Sequence, residues 1–302
     1  MKQTVVLSVL FLAAQAAIAE WNQWRGSFDG QGNVDGPAPV TEWSIDKNIL
    51  WKTPVHGEGS SSPVIYGGKI YLSAADTKTQ KMYLYCFDQK TGKQLWERIV
   101  FWGDMLENLH KNNTHAAATP ATNGEVISVV FGMKSALWLA TLDMEGKTLW
   151  EVEVAKVKSQ FGTGTSPVIY KDRVIVMNDM EPSPSISAYS LANGKPLWTT
   201  RRNQAGTPGL HSYSTPRIFS VQGQDRIVTT GMEKVILYDP ETGKVDWEID
   251  AGANVTVGTP LINRRFLYVN GGWPQDGITA IDLRRREVVW TNRFNTYIAS
   301  MV

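Results

Sequence analysis

One cysteine in 302 residues excludes an intrachain disulfide, so packing rather than covalent cross-linking holds this chain together. An excess of either charge is missing too. Lys plus Arg number 30 against 29 for Asp plus Glu, and without Lys2 the balance is 29 to 29, which offers a nucleic acid or an anionic membrane no bulk attraction. No stretch of about 18 apolar residues is present, so no membrane-spanning helix is expected. Metal-spaced His and Cys clusters, a Walker loop, a serine nucleophile elbow and an Asp-x-Asp-x-Asp-Gly calcium loop are all lacking. No apolar stripe of helical period appears either. What remains is 42% hydrophobic residues, 26 Gly and 12 Trp, the composition of a folded protein with a large core.

Residues 1–19 combine Lys2, an apolar run from Val5 to Ala14 and an Ala17-x-Ala19 end. This pattern predicts a secretory signal peptide, a mature chain from Glu20, and a periplasmic or secreted location. Cys86 lies too far from that junction to carry a lipid anchor.

From residue 20 onward the chain repeats. Trp96, Trp150, Trp198, Trp247 and Trp290 follow one another at intervals of 54, 48, 49 and 43 residues. Each closes one phrase, clearest in Asp88-Gln-Lys-Thr-Gly-Lys-Gln-Leu-Trp96 and Asp239-Pro-Glu-Thr-Gly-Lys-Val-Asp-Trp247, and most degenerate in Asp282-Leu-Arg-Arg-Arg-Glu-Val-Val-Trp290. The Asp caps a turn, the Gly supplies positive φ, and the return strand carries a large flat side chain four residues on. A second phrase, Ser or Thr before Pro, opens each repeat at Ser62, Thr119, Ser166, Thr215 and Thr259. Between the two phrases lie alternating runs and Gly turns, as in Val64–Leu72, that read as hairpins. Four strands per repeat without helices predict an all-β propeller of four-stranded blades, in which a Trp in every repeat clamps neighbouring blades. Trp51 occupies the same position ahead of the first full repeat.

The Asp-x-x-Thr-Gly-Lys-x-x-Trp phrase resembles the docking motif of the PQQ-like (pyrroloquinoline-quinone-type) β-propeller family. The opening Trp21-Asn-Gln-Trp-Arg-Gly26, Asn48–Lys52 and Gly59–Pro63 are similar to its secreted bacterial members. The resemblance covers residues 20–302 as a single domain and implies a ring usually of eight blades. About six blades' worth is present, and residues 297–302 read as the start of a further repeat with Met301 in place of Pro, so the expectation is a C-terminally truncated propeller, the alternative being a six-bladed ring that closes with an incomplete blade.

The enzymes of this family hold their quinone under a disulfide of adjacent cysteines beside Ca²⁺. With one cysteine and no calcium loop, neither PQQ nor Ca²⁺ is expected here, and no metal site or catalytic residue is assigned. Cys86 reads as a buried small hydrophobe, Arg284-Arg285-Arg286 as a solvated turn, and Trp21, Trp24 and Arg25 as core or as a plug of the ring. His56, His110, His115 and His211 all precede repeat-opening prolines, in connections that a propeller gathers on one face at the channel mouth. With Glu58, Asn112, Asn113 and Arg202 from the same loops they form the candidate ligand site. The expected function is a non-catalytic exported module binding a protein or peptide, distantly like the propeller lipoprotein of outer-membrane assembly. The alternative is a small-ligand or sugar site, or a PQQ-dehydrogenase-like enzyme, at the channel mouth.

Overall fold

The computed structural model describes residues 20–26, 32, 38–107, 109–159, 161–202, 211–274, 276–294, 296 and 298–301; the predicted signal segment lies outside them. Among these residues there are strands and no helix. The first blade is β1 (Val64–Tyr66), β2 (Lys69–Asp76), β3 (Lys81–Asp88) and β4 (Gln94–Trp102). The second is β5 (Ala121–Thr122), β6 (Val126–Met133), β7 (Ala136–Asp143) and β8 (Thr148–Lys158). Next come β9 (Val168–Tyr170), β10 (Arg173–Asn178), β11 (Glu181–Pro182), β12 (Ser185–Ser190) and β13 (Pro196–Arg201). Of these β11 leaves the third blade to pair with Val157 and Lys158 of β8. The fourth blade is β14 (Arg217–Val221), β15 (Gln224–Gly231), β16 (Lys234–Tyr238) and β17 (Val245–Asp250); the fifth is β18 (Leu261–Asn263), β19 (Phe266–Asn270), β20 (Ile278–Asp282) and β21 (Glu287–Asn292). All pairings are antiparallel, as hairpins demand.

The core lies between blades, and the strand period explains how. Successive side chains point to opposite faces, so on β10 Val174 and Val176 pack against the second blade while Ile175 and Met177 pack against the fourth. The central residues of a middle strand such as β10 are therefore buried on both faces. The same arrangement joins the first blade to the second through Leu84, Cys86 and Phe131, and the fourth to the fifth through Leu237 and Leu267.

The docking phrase now has a geometry. In the first blade Asp88 Oδ1 accepts from Thr91 N at 2.8 Å and from Thr91 Oγ1 at 2.6 Å, and Gly92 takes φ +69°. The glycine is needed twice over, because the Trp of the preceding repeat lies flat against it. A Cβ at Gly194 would meet Trp150 Cε3 at 2.6 Å, and Gly92, Gly146 and Gly243 face Trp51, Trp96 and Trp198 in the same way. Three of these indoles also donate to a turn carbonyl: Trp51 to Gln89 at 3.0 Å, Trp150 to Leu191 at 2.8 Å and Trp198 to Pro240 at 3.1 Å. The Trp is thus a clamp on the next blade's turn.

The Ser/Thr-Pro phrase forms a second clasp near the axis. Ser62 N donates to Thr119 Oγ1 (2.9 Å), Thr119 N to Ser166 Oγ (2.9 Å), and Ser166 N to Thr215 Oγ1 (3.1 Å). Thr259 N donates to Ser300 Oγ at 3.0 Å, so Ser300 plays the part of a sixth copy. Residues 20–26 run across these inner strands. Trp21 pairs with Ile65, Asn22 O accepts from Thr122 N, Trp24 Nε1 donates to Thr259 Oγ1 at 2.7 Å, and Arg25 donates to Met301 O. This segment bridges the first, second and fifth blades.

Candidate functional site: an axial cavity and a rim groove

The loops that follow the outer strands open on one face, and the structure distributes the predicted residues among three places on it. His110 and His211 line an axial cavity of about 640 Å³ together with Asn112 and Asn113. His115 lies instead in a groove of about 600 Å³ between the first and second blades, beside Trp102, Met105 and Leu106. His56 stands apart on the first blade, its Nε2 3.0 Å from Asp76 Oδ2 and its ring edge-on to Tyr83. The hydroxyl of Thr79 and neighbouring backbone amides hold the Asp76 carboxyl down at about 2. Glu58 exchanges backbone hydrogen bonds with Ala75 and is exposed.

Arg202 is neither exposed nor in the cavity. It is 2% exposed and forms a two-pronged ion pair with Asp179, while Nη1 donates to Thr229 Oγ1 and Tyr238 OH, both at 2.7 Å. Burial opposes its charge, but the Asp179 carboxylate and Tyr238 outweigh that and keep it ionised. Removing either partner would leave a buried charge alone, so the pair acts as a structural bolt in this arrangement.

The cavity walls come from every blade. Ser60, Ala117, Ser166, Thr215 and Val257 lie just ahead of the five inner strands, Ile298 continues the series, and Trp24 of the N-terminal segment joins the wall. Phe161, Tyr213 and Trp273 add aromatic faces; Phe161 lies 4.9 Å from the His110 ring and edge-on to Tyr213 at 6.3 Å. Asn113 is fixed by donating to Phe161 O. His211 is 5% exposed, and neither ring nitrogen has a hydrogen-bond partner among the described residues. Burial pushes its pKa down against the opposing pull of Glu181 and Asp179. Among the described residues no Lys, Arg, Asp or Glu lines the cavity, and no group of three His, Cys, Asp or Glu side chains could hold a metal ion.

Sequence reasoning missed Trp24, Phe161, Tyr213 and Trp273 as lining residues, and Asp179 as the partner of Arg202. Aromatic residues are so widely used here for blade packing that those facing the axis carry no distinguishing mark.

A family model described as outer membrane protein assembly factor BamB matches residues 33–178, 84–205 and 182–299. Tetrathionate hydrolase of Acidithiobacillus ferrooxidans is 26% identical over 266 residues, 85% of this chain and 48% of that protein. BamB of Burkholderia pseudomallei is 24% identical over 169 residues, 55% of this chain and 37% of that protein. The chain therefore spans about half, or less, of the length of these relatives. Among solved structures, europium-containing methanol dehydrogenase superposes with TM-score 0.62 at 13% identity, covering 91% of this chain and 58% of that one. BamB from Moraxella catarrhalis gives 0.56 at 16%, covering 83% and 70%. These similarities show the fold, and with the family match spanning residues 33–299 the chain belongs to the PQQ-like β-propeller family of the outer membrane assembly factor BamB.

Proposed function

We propose that the protein is an exported, non-catalytic binding module that holds an extended segment of a protein partner. The observation that carries this reading is β4. It is the edge strand of its blade, nine residues long, and it exposes Leu95, Ile99 and Trp102 at 45%, 49% and 71%. Unpaired N–H and C=O groups on such an edge are a template for an added strand, and exposed apolar side chains beside them give it something to bury. Trp102 then opens into the groove of Met105, Leu106 and His115. A peptide continuing β4 would run straight into it. The relatives described as outer membrane protein assembly factors support this reading, because segments of membrane β-barrels are strand-forming by nature.

The donor set gives less support to the quinoprotein alternative. The family's enzymes hold their quinone under a disulfide of adjacent cysteines beside Ca²⁺, whereas the described cavity lining holds neither a cysteine nor a carboxylate. Cys86, the single cysteine, is buried in the first blade's core.

Photo-crosslinking residues placed at Ile99 and Trp102, with Gly223 as a distant control, test the proposal in producing cells. Discrete adducts with an envelope protein from the first two positions and none from the control are expected. Absence of adducts at β4, or equal adducts at Gly223, would sink it. Loss of the adducts on Leu95→Asp, an exposed substitution, should confirm that the edge is engaged.

A further inference from the structure

We propose that the axial cavity, a site separate from the β4 edge, binds an uncharged saccharide. Four features of its wall converge on that chemistry. First, Trp24, Phe161, Tyr213 and Trp273 present aromatic faces to the cavity. The C–H face of a sugar ring is apolar and packs on such faces, while its hydroxyls project sideways. Second, His211 brings two buried ring nitrogens that no described protein group satisfies. Burial disfavours its charged form, and a neutral imidazole offers one donor and one acceptor. A hydroxyl, which both gives and receives a hydrogen bond, matches it better than a carboxylate or an ammonium group. Third, the exposed amide of Asn112 at the same wall adds a donor and an acceptor of the kind that brackets neighbouring hydroxyls. Fourth, among the described lining residues there is no charged side chain to pair with an ionic ligand, and burying an unpaired ligand charge would be costly.

The shape agrees with the chemistry. Trp24, held to Thr259 through its indole nitrogen, is fixed in the wall of the cavity. The cavity of about 640 Å³ falls within the range of small-molecule sites.

The test is titration of the mature chain with maltose, cellobiose and chitobiose, read by tryptophan fluorescence, because Trp24 and Trp273 would report directly. At least one saccharide should saturate with Kd of about 1 mM or tighter. Trp273→Ala, at a side chain 52% exposed, and His211→Phe, which keeps volume but removes both nitrogens, should each weaken binding about tenfold or more. Urea unfolding of both variants checks that the fold survives; if His211→Phe does not fold, Trp273→Ala decides alone. No saturable binding of any of the three sugars overturns the proposal. So does unchanged affinity in the folded variants, or preferential binding of the anions tetrathionate or glucuronate.

Discussion

Gly243 and Gly223 belong to the same blade, both have positive φ (+70° and +77°), and they differ in what surrounds them. Nothing lies within 4 Å of a Cβ added to Gly223, whereas one added to Gly243 would penetrate the ring of Trp198. Gly223→Ala therefore measures the left-handed backbone alone, about 1–2 kcal/mol. Gly243→Ala adds displacement of the indole, about 1–3 kcal/mol for overpacking, and loss of the Trp198 to Pro240 hydrogen bond, about 1 kcal/mol. The expected totals are about 1–2 and about 3–6 kcal/mol. Urea unfolding of the two variants measures both. A third, Gly243→Ala in a Trp198→Ala background, should cost clearly less than Gly243→Ala alone, because the indole is gone and only the Thr200 hydroxyl, 2.9 Å from the added Cβ, still has to give. Equal losses at the two glycines, or a strictly additive double variant, would refute the clamp.

Trp96→Ala and Trp247→Ala should each cost about 3–5 kcal/mol by denaturant unfolding. Trp290, 45% exposed against 9% for Trp247, should cost about 1 kcal/mol. His115 and His211 both have pKa values lowered by burial from the usual 6.5, so the unfolded chain takes up protons that the folded chain refuses. Their contribution is intact above pH 6.5 and is lost as pH falls below it; the melting temperature should drop between pH 7 and 5, and less so in a His115→Gln, His211→Gln variant. Burial pushes the Cys86 thiol up to about 11, so it should resist iodoacetamide in the native state at pH 8 and react once urea unfolds the chain.

The blades were readable in the sequence because each repeats its own instructions. Asp88, Gly92 and Trp96 sit at fixed offsets, and the spacing alone places a turn, a positive φ and a clamp. The ligand site was not readable to the same degree. Its residues come one or two per blade, and a shared face does not mean a shared pocket: His110 and His211 meet at the axis, while His115 turns toward the rim and His56 toward Asp76. Arg202 lay in the expected loop, but its partner Asp179 is 23 residues away in the turn that follows β10, and only the folded blade brings them together. Trp24 bonds to Thr259, 235 residues distant, a contact that no local pattern could reveal.

The first four blades each receive a tryptophan on their own glycine turn, and near the axis the first three each give an amide forward to the next blade's hydroxyl. Both fasteners point the same way round the ring, so the second and third blades carry one half of each at either boundary. A unit duplicated or excised in frame therefore meets its new neighbours with matching halves, and no second change is needed to reseat them. Ring size becomes something tandem duplication can vary at low cost, whereas a fused hydrophobic centre would have to be repacked at every step. The loop residues His110, Asn112 and Phe161 at the mouth belong to neither fastener, so such positions can diversify blade by blade while the units beneath them remain interchangeable.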